Sequence, residues 1–404
     1  GEIKPLHGVN NSPVQYGDEI KSFREAGIPF SRLHDTAAAF GGTHFVDIPN
    51  VFPNFDADPS DPASYDFAFT DAYIKSLAGS GTEVFYRLGV TIENHYTIKA
   101  YNIHPPRDFA KWARICEGIV RHYNEGWANG FQYHFRYWEI WNEPENPPMW
   151  SGTREQFFEL YRIAANHLKT CFPDLKVGGY GGCGFYSVTR ENTDEFHKSF
   201  IAWFDEFLAF VSATDSSAPL DFFSWHLYTD DVNEIVRHAE YVRTRLDASG
   251  FTKTESVFDE WNRMNDAKNV FDEMRAMPGA VFVGAAFSLM QNSSIDKAMY
   301  YDALPTRQYG GLYHFPSCDV TKTYYAFKMF NILYRLKNAV QSVSTVDKVT
   351  VTAARDEVKA AVFITNRGDQ ECPVSVALSG IPQGCTVSTL FLLDDAHDMD
   401  QVRT

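Results

Sequence analysis

Two glutamates at the ends of short apolar, aromatic segments are the residues of this chain best suited to chemistry. Glu143 closes the segment 137–143, directly after Asn142, and Glu260 closes the segment 256–260. Glycoside hydrolysis needs such a pair, because one carboxyl group protonates the leaving oxygen and the other attacks the sugar or activates water. The two glutamates therefore predict a glycosidase, in which Asn142 is placed to bind a sugar 2-hydroxyl.

The surroundings of each glutamate predict its role. A general acid must hold a proton near neutral pH, and apolar neighbours raise the pKa of a carboxyl group. Glu143 stands among Trp138, Trp141 and Pro144, so we expect its pKa to be raised and assign it as the acid. Glu260 is expected to be ionised, as a nucleophile must be.

Two further segments supply polar side chains that could bind the substrate. Alternation along a strand puts Arg32 and His34 on one face, and His226 and Tyr228 on another. Arg32 is predicted to orient and charge-stabilise Glu260. The two histidines and Tyr228 are predicted to bind hydroxyl groups or to position the nucleophile. Trp261, next to the predicted nucleophile, is a further candidate for substrate binding.

Strand-like and helix-like segments alternate along most of the chain and must position these residues. The candidate strands are 6–9, 30–33, 84–88, 138–141, 176–179, 222–226, 257–260 and 298–301. The candidate helices are 16–26, 66–78, 107–124, 154–171, 196–211, 232–248, 278–291 and 321–336. Eight such pairs predict an α/β protein with a (β/α)8 TIM barrel, whose C-terminal strand ends meet around one cleft. A doubly wound sheet is the alternative, but no Gly-x-Gly-x-x-Gly follows the first strand.

The pattern changes near residue 338, which predicts two domains, a catalytic barrel at 1–337 and a small β-sandwich-like appendage at 338–404. Its candidate strands are 349–354, 357–366, 373–378 and 386–393. Four strands make an incomplete sandwich, so we expect the native chain to continue. Cys372 and Cys385 are placed to bridge two of these strands, and unpaired thiols are the alternative.

Charge and hydropathy exclude some partners. A net charge of −16 argues against nucleic acid, because phosphate binding needs a positive surface. The longest apolar stretch, 281–290, is too short to span a membrane and predicts a buried helix. The chain opens at Gly1 without Met, which is compatible with a processed or trimmed N-terminus. The cysteine spacings leave the compartment open, with a secreted or periplasmic location favoured over a cytoplasmic one. The oligomeric state is not readable from the sequence.

Several motifs together resemble clan A glycoside hydrolases, and most closely family 39, which includes β-xylosidases and α-L-iduronidases. They are Arg-Leu-His at 32–34, His-Pro-Pro-Arg-Asp-Phe-Ala-Lys-Trp at 104–112, Trp-Glu-Ile-Trp-Asn-Glu-Pro at 138–144, Trp-Ser-Gly-Thr at 150–153, Leu-Lys-Val-Gly-Gly at 175–179 and Asp-Phe-Phe-Ser-Trp-His-Leu-Tyr at 221–228.

The resemblance implies a retaining mechanism, with Glu143 as acid/base and Glu260 as nucleophile. It also implies that Asn142, His34, His226 and Tyr228 bind an oligosaccharide or polysaccharide substrate. It implies no cofactor and no metal, and it favours an exo-acting, β-xylosidase-like enzyme of carbohydrate metabolism.

Departures from the family pattern leave the sugar open. Phe-Asp-Glu-Trp-Asn at 258–262 also resembles family 51 α-L-arabinofuranosidases, and Arg87 or Arg307 could recognise the carboxylate of a uronic acid. Exo action depends on the loops 41–64, 181–194 and 303–315, which are predicted to enclose a pocket; endo action is the alternative.

Two rival classes remain. A non-catalytic carbohydrate-binding barrel would lack one of the glutamates, and both are present. A metal-dependent barrel hydrolase would use His7, His34 and His226 with Asp35, but the first strand lacks the usual His-x-His pair.

Overall fold

Eight parallel strands close into a barrel in chain order, as predicted. The computed structural model describes residues 1–13, 21–36, 46–91, 101–380, 384 and 389–403. The barrel strands are β1 Gly8–Asn10, β2 Phe30–Arg32, β3 Glu83–Leu88, β4 Tyr137–Ile140, β5 Lys176–Gly182, β6 Phe222–Tyr228, β7 Glu255–Asn262 and β8 Lys297–Tyr300. The alternation of strands and helices along the chain thus reports the true architecture.

Helices follow the strands and cover the outside of the barrel. They are α1 Lys21–Ala26, α2 Ile48–Val51, α3 Ala68–Gly79, α4 Phe109–Glu125, α5 Arg154–Cys171, α6 Tyr186–Thr189, α7 Glu195–Ser212, α8 Val232–Ala248, α9 Val270–Glu273, α10 Met277–Gln291 and α11 Lys322–Leu336. Local chemistry sets their starts: Thr153 and Gln156 form a capping box at α5, and Asp231 caps α8. Residues 16–20 of the first predicted helix lie outside the described part.

The lower interior of the barrel is filled by side chains. Six buried, mostly aromatic residues from alternate positions meet there: Phe30, Phe85, Tyr137, Phe222, Val257 and Met299. The rings of Phe85 and Phe222 are 5.0 Å apart, and those of Phe85 and Tyr137 5.2 Å. This layer makes the lower barrel a packed core, above which the polar side chains of the predicted site lie at the C-terminal mouth.

The apolar stretch at 281–290 lies in α10, which packs its buried side chains against the barrel and its neighbouring helices, as predicted. None of the helices within the described ranges combines the length and apolarity needed to cross a bilayer.

One irregularity in the sheet bears directly on the mouth. Opposite β6, Trp225 pairs with Phe258 but His226 pairs with Glu260, so Asp259 is an extra residue in β7. Such a β-bulge breaks the alternation of inward and outward side chains. As a result both Asp259 and Glu260 contact Arg32 inside the barrel.

Beyond α11 the described chain forms two small antiparallel sheets. One contains β9 Asn338–Val340, β10 Val349–Arg355 and β11 Ala360–Asn366, and the other β12 Leu390–Leu393 and β13 Asp398–Arg403. The first sheet packs on α10 and α11, where the Phe363 ring lies 6.3 Å from that of Phe330. It therefore rests on the barrel.

The predicted strands of this region were partly wrong. Residues 373–378 form no strand, and β9 and β13 were not predicted. Alternating valines made 373–378 resemble a strand, but they lack a described partner strand, and a strand is stable only when its backbone is paired. Cys385 lies outside the described residues, and the boundary at 338 stays a prediction.

The barrel-filling layer predicts that truncation of two different phenylalanines lowers the stability of the protein by very different amounts. Phe222→Ala removes a fully buried ring from the layer and should lower the free energy of unfolding by about 3–5 kcal/mol. Phe69→Ala, at a side chain that is 49% exposed on α3, should cost less than about 1 kcal/mol. Urea unfolding of both variants measures the difference, and equal losses would mean that the layer does not fill the barrel.

Candidate active site

The C-terminal ends of four strands bring the predicted site residues together. Arg32 ends β2, Glu143 follows β4, His226 lies near the end of β6 and Glu260 lies near the end of β7. One carboxylate oxygen from each glutamate and one nitrogen of His226 all lie within 4.8 Å of one another. Residues far apart in the sequence thus form one cluster, because parallel strands end at the same rim.

Glu143 lies three residues beyond β4, not at its last position as predicted. Its backbone and that of Trp141 have positive φ, 44° and 74°, and the Glu143 N–H donates to the carbonyl of Gly181 at 2.9 Å. The turn is held from below by the Trp141 indole, which donates to the carbonyl of Met149 at 2.9 Å. This turn directs the Glu143 side chain across the mouth toward β6.

The carboxylate of Glu143 has polar partners. Nδ1 of His226 lies 2.8 Å from Oε1, Nδ2 of Asn146 donates to Oε2 at 3.2 Å, and the Cys183 thiol is a further hydrogen-bonding neighbour. Burial raises the pKa of Glu143, but the hydrogen bond and charge of His226, with the other two contacts, outweigh it and lower the pKa.

The predicted rise in the pKa of Glu143 is therefore wrong. The tryptophans expected to create an apolar environment turn away from it. The Trp138 ring stacks on Tyr86 at 5.1 Å, and the Trp141 ring packs edge-on against Trp150 at 5.1 Å. Sequence proximity put them beside Glu143, but their side chains leave the backbone on the other face.

Glu260 is held by two donors. The Tyr228 hydroxyl donates to Oε1 at 2.6 Å, and Nη1 of Arg32 donates to Oε2 at 3.2 Å. Burial, followed by the charge of Glu260, raises the pKa of Tyr228 well above its ordinary value, so the phenol keeps its proton and donates it. The Glu260 side chain is 10% exposed, which leaves it accessible only from the mouth.

Arg32 is fully buried and connects most of the site. Its Nη2 donates to Oδ1 of Asn142 at 2.6 Å, and its Nη1 donates to Oδ1 of Asn10 at 3.1 Å. Its Nε contacts Glu139 at 2.7 Å and Asp259 at 3.0 Å. A planar guanidinium fixes several acceptors at once, so this one side chain sets the relative positions of β1, β2, β4 and β7 at the rim.

His34 is buried beside this cluster. Burial, and then the charges of Arg87, Arg32 and His226, hold its pKa well below the ordinary value, so His34 is neutral. Its Nε2 lies 3.3 Å from Oδ1 of Asp35, and its Nδ1 has no hydrogen-bond partner among the described residues. A neutral imidazole can donate or accept one hydrogen bond at each nitrogen.

Gly181 lies where the site residues converge. It adopts φ +62°, and a Cβ built on it would lie 3.0 Å from Nη2 of Arg32, 3.1 Å from Oδ1 of Asn142 and 3.2 Å from Nε2 of His226. Only a residue without a side chain lets these three groups meet around the backbone.

Trp261 is not part of this cluster, so its predicted role in substrate binding is wrong. The side chain is fully buried, and its ring packs against Tyr300 at 5.2 Å and Phe287 at 6.0 Å on the helix side of the sheet. The bulge at Asp259 is the cause, because it lets two consecutive acids face inward and turns the next residue outward.

Several residues at the site were missed. Tyr309 and Tyr301 pack beside Tyr228, at ring distances of 5.6 and 6.4 Å. Tyr309 is in an irregular loop that carries no periodic signal. Glu139 could have been predicted, because it lies two residues after Tyr137 on the same face and is a charged residue in an otherwise apolar strand. Asp259 could not, since the direction of its side chain depends on the β-bulge.

The metal-hydrolase alternative is not supported by the position of His7. That imidazole lies near α11, 3.2 Å from the carbonyl of Gly27 and 3.3 Å from Oδ1 of Asn331. Within the described ranges, two groups of three side chains could surround an ion, Glu143 with His226 and Glu260, and Glu117 with His167 and Cys171. The absence of a metal stays a prediction.

The arginines considered for carboxylate recognition have other partners. Arg87 is fully buried, and its Nη2 donates to Oδ1 of Asp47 at 2.8 Å. Arg307 stacks over the ring of Phe315 at 5.4 Å. Neither contact indicates that the arginine binds a substrate carboxylate rather than stabilising the protein itself.

Two curated β-xylosidases are similar to part of the chain. The enzyme from Geobacillus stearothermophilus is 32% identical over 158 residues, 38% of this chain and 25% of that protein. The enzyme from Caldicellulosiruptor saccharolyticus is 28% identical over 176 residues, 42% of this chain and 32% of that protein. The matched part thus spans between a quarter and a third of these relatives.

A solved structure is similar over most of the chain. The glucosidase from Croceicoccus marinus has a TM-score of 0.71 and 27% identity, and the match covers 88% of this chain and 72% of that one. The family model for glycosyl hydrolases family 39 matches residues 44–273, more than half of the chain. The match over more than half of the chain shows the family, and the barrel and the paired glutamates agree with it. The chain therefore belongs to glycosyl hydrolases family 39.

Proposed function

We propose that this protein is a retaining glycoside hydrolase in which Glu143 is the acid/base and Glu260 the nucleophile. The observation that carries the proposal is that carboxylate oxygens of the two residues lie within 4.8 Å of each other. Retaining enzymes separate their carboxyl groups by about 5–5.5 Å, whereas inverting enzymes need about 6.5–9.5 Å to admit a water molecule. The close pair favours direct attack by a carboxylate.

In the first step, a carboxylate oxygen of Glu260 attacks the anomeric carbon while the proton of Glu143 passes to the leaving oxygen. The bond between the anomeric carbon and that oxygen breaks, and a glycosyl ester forms on Glu260. Tyr228 and Arg32 donate to the two oxygens of Glu260, which orients the attacking carboxylate.

In the second step, water attacks the anomeric carbon of the ester. Glu143, now a carboxylate, takes a proton from this water, and the C–O bond to Glu260 breaks. Two inversions at one carbon give a product of retained configuration. Glu143 ends the cycle protonated, ready for the next leaving group.

His226 links the two carboxylates. Its Nδ1 lies 2.8 Å from Oε1 of Glu143 and 3.5 Å from Oε2 of Glu260. The hydrogen bond stabilises the anionic form of Glu143, which is the form needed for the second step. It also makes protonated Glu143 a stronger acid for the first step, so we expect an acidic pH optimum.

The proposed substrate is an oligosaccharide that carries a terminal β-xylosyl residue. The matches to two β-xylosidases support the sugar, and the match to the Croceicoccus glucosidase makes a glucoside the second candidate. Asn142, whose Oδ1 is fixed by Arg32, would donate its amide to the 2-hydroxyl. Neutral His34, whose Nδ1 is unpaired within the described part of the chain, would bind a neighbouring hydroxyl.

Azide rescue tests the two roles. Glu143→Ala should hydrolyse an aryl β-xyloside with an activated leaving group but accumulate the ester, because the base is lost. Added azide should restore turnover and give the β-glycosyl azide of retained configuration. Glu260→Ala should lose turnover and, with azide, give the inverted azide, since azide then attacks the substrate directly.

A panel of aryl glycosides, assayed in the same experiment, identifies the sugar that the enzyme hydrolyses. It contains β-xyloside, β-glucoside, β-galactoside, α-arabinofuranoside and α-iduronide, and product configuration is read by NMR. Full activity of Glu143→Ala would contradict the acid/base role. Inverted product from the unmodified enzyme would contradict the retaining mechanism.

The pH profile should respond to the partners of Glu143. Activity on an unactivated substrate needs protonated Glu143, so kcat/KM falls as pH rises through its lowered pKa in the free enzyme. His226→Phe removes the strongest stabilisation of the anion and should shift this alkaline limb to higher pH. Asn146→Ala, which removes a 3.2 Å hydrogen bond, should shift it less. An unmoved limb in His226→Phe would contradict the assignment.

Gly181 should be essential for catalysis and not only for folding. Gly181→Ala and Gly250→Ala both place a methyl group on a backbone with positive φ, which costs about 1–2 kcal/mol. The Gly250 methyl would meet nothing within 4 Å, whereas that of Gly181 would displace site residues. Only Gly181→Ala should lower kcat/KM, on the order of tenfold to a hundredfold. Urea unfolding and kinetics of both variants separate the two effects.

A further inference from the structure

A second carboxyl pair lies beneath the two glutamates of the proposed mechanism. Glu139 on β4 and Asp259 on β7 are both fully buried. Nε of Arg32 lies 2.7 Å from Oε2 of Glu139 and 3.0 Å from Oδ2 of Asp259. Both carboxyl groups thus face the same Nε–H, and neither oxygen of Asp259 accepts a hydrogen bond from a donor in the described part of the chain. Two buried carboxyl groups this close to one donor repel each other unless one of them carries a hydrogen atom.

The charges around the pair lead to the same requirement. Arg32 is the guanidinium that faces Glu139, Asp259 and Glu260 inside the barrel. The other titratable group at this position is His226, whose Nε2 lies 3.5 Å from Oδ1 of Asp259. Three ionised carboxylates around one guanidinium would leave buried charge uncompensated, which is costly in a low-dielectric interior.

We propose that Glu139 and Asp259 share one proton, carried by Asp259, and that the pair positions Arg32 against Glu260. The proton belongs to the resting protein, whereas the role toward Glu260 rests on the function proposed above. The pair and Glu260 then carry two negative charges against one on Arg32. One net negative charge remains below the anomeric carbon, where positive charge develops in the transition state.

The surroundings of the two carboxyl groups identify Asp259 as the one that carries the shared proton. Burial raises the pKa of Asp259 well above its ordinary value, and Glu139 and Glu260 add to this against the opposing charge of Arg32. Burial also raises the pKa of Glu139, but Arg32 and the hydrogen bonds that Glu139 accepts outweigh it and lower the pKa. Ser224 supplies one of these, donating to Oε1 at 2.6 Å.

The pair also reaches the backbone that carries Glu143. Oγ of Ser224, which donates to Glu139, accepts from the N–H of Gly181 at 2.8 Å. The carbonyl of Gly181 accepts from the N–H of Glu143 at 2.9 Å. Glu139 is thus connected to the backbone of Glu143 through Ser224 and Gly181, and to the carboxylate of Glu260 through Arg32. Glu139 and Asp259 are therefore positioning residues.

Infrared spectroscopy of the purified protein detects the proton directly, since only a protonated carboxyl group shows the carboxylic acid C=O band. At neutral pH, one band should be absent from Asp259→Asn and should shift when aspartate is ¹³C-labelled. The same band should be absent from Glu139→Gln, because Asp259 without its neighbour ionises beside Arg32. Glu145→Gln is the matched control: burial raises the pKa of this nearby carboxyl group well above its ordinary value, but it is not part of the pair.

Stability gives a second readout with a fixed sign. Since Asp259 binds its proton more tightly in the folded state, the contribution of Asp259 to the stability of the wild type falls as pH rises from about 4 toward neutral. Asp259→Asn lacks this dependence, so its urea midpoint should gain on that of the wild type as pH rises. If this variant fails to fold, the labelled wild type and Glu139→Gln still decide the outcome.

A band lost in Asp259→Asn but kept in Glu139→Gln would mean an isolated buried acid and would overturn the shared proton. So would spectra in which neither variant loses a band. Because the spectrum needs no turnover, an inactive protein that shows the band would refute only the proposed function. An active enzyme without the band would refute only the shared proton.

Discussion

The buried guanidinium of Arg32 is the interaction on which the rest of the site depends. It contacts acceptors from β1, β4 and β7 as well as Asn142 in the turn after β4. A charge at this depth is stable only when its donors are satisfied and its charge is balanced. The carboxylates around it supply both, and the distances among them follow from the planar geometry of one side chain.

This constraint explains why the site combines rigid strands with an irregular turn. Glu260 sits on β7 and is fixed by Arg32 and Tyr228, which suits its proposed role as a nucleophile that attacks along one line. Glu143 sits on a turn with positive φ, held by Gly181 and His226. The turn carries Glu143, the proposed acid/base, across the mouth, so that carboxylate oxygens of Glu143 and Glu260 lie within 4.8 Å of each other.

The environment of Glu143 shows how burial and polar contact compete. Burial alone would keep its proton bound, but His226 and Asn146 stabilise the anion more strongly. The balance suits the role proposed for Glu143, an acid in one step and a base in the next. Aromatic neighbours in the sequence do not report this balance, because Trp138 and Trp141 shape the turn from its outer side.

The sequence by itself determined the barrel, the two glutamates and the polar residues Arg32, His226 and Tyr228. Alternating periodicity and chemical type are local properties, and eight βα units leave little choice of architecture. Tertiary structure alone decided the directions of Asp259 and Trp261, because one extra residue in β7 reverses the alternation after it. It also decided the protonation of buried groups and the strand pairing after α11. These depend on neighbours that the chain brings together only when it folds, so no local pattern contains them.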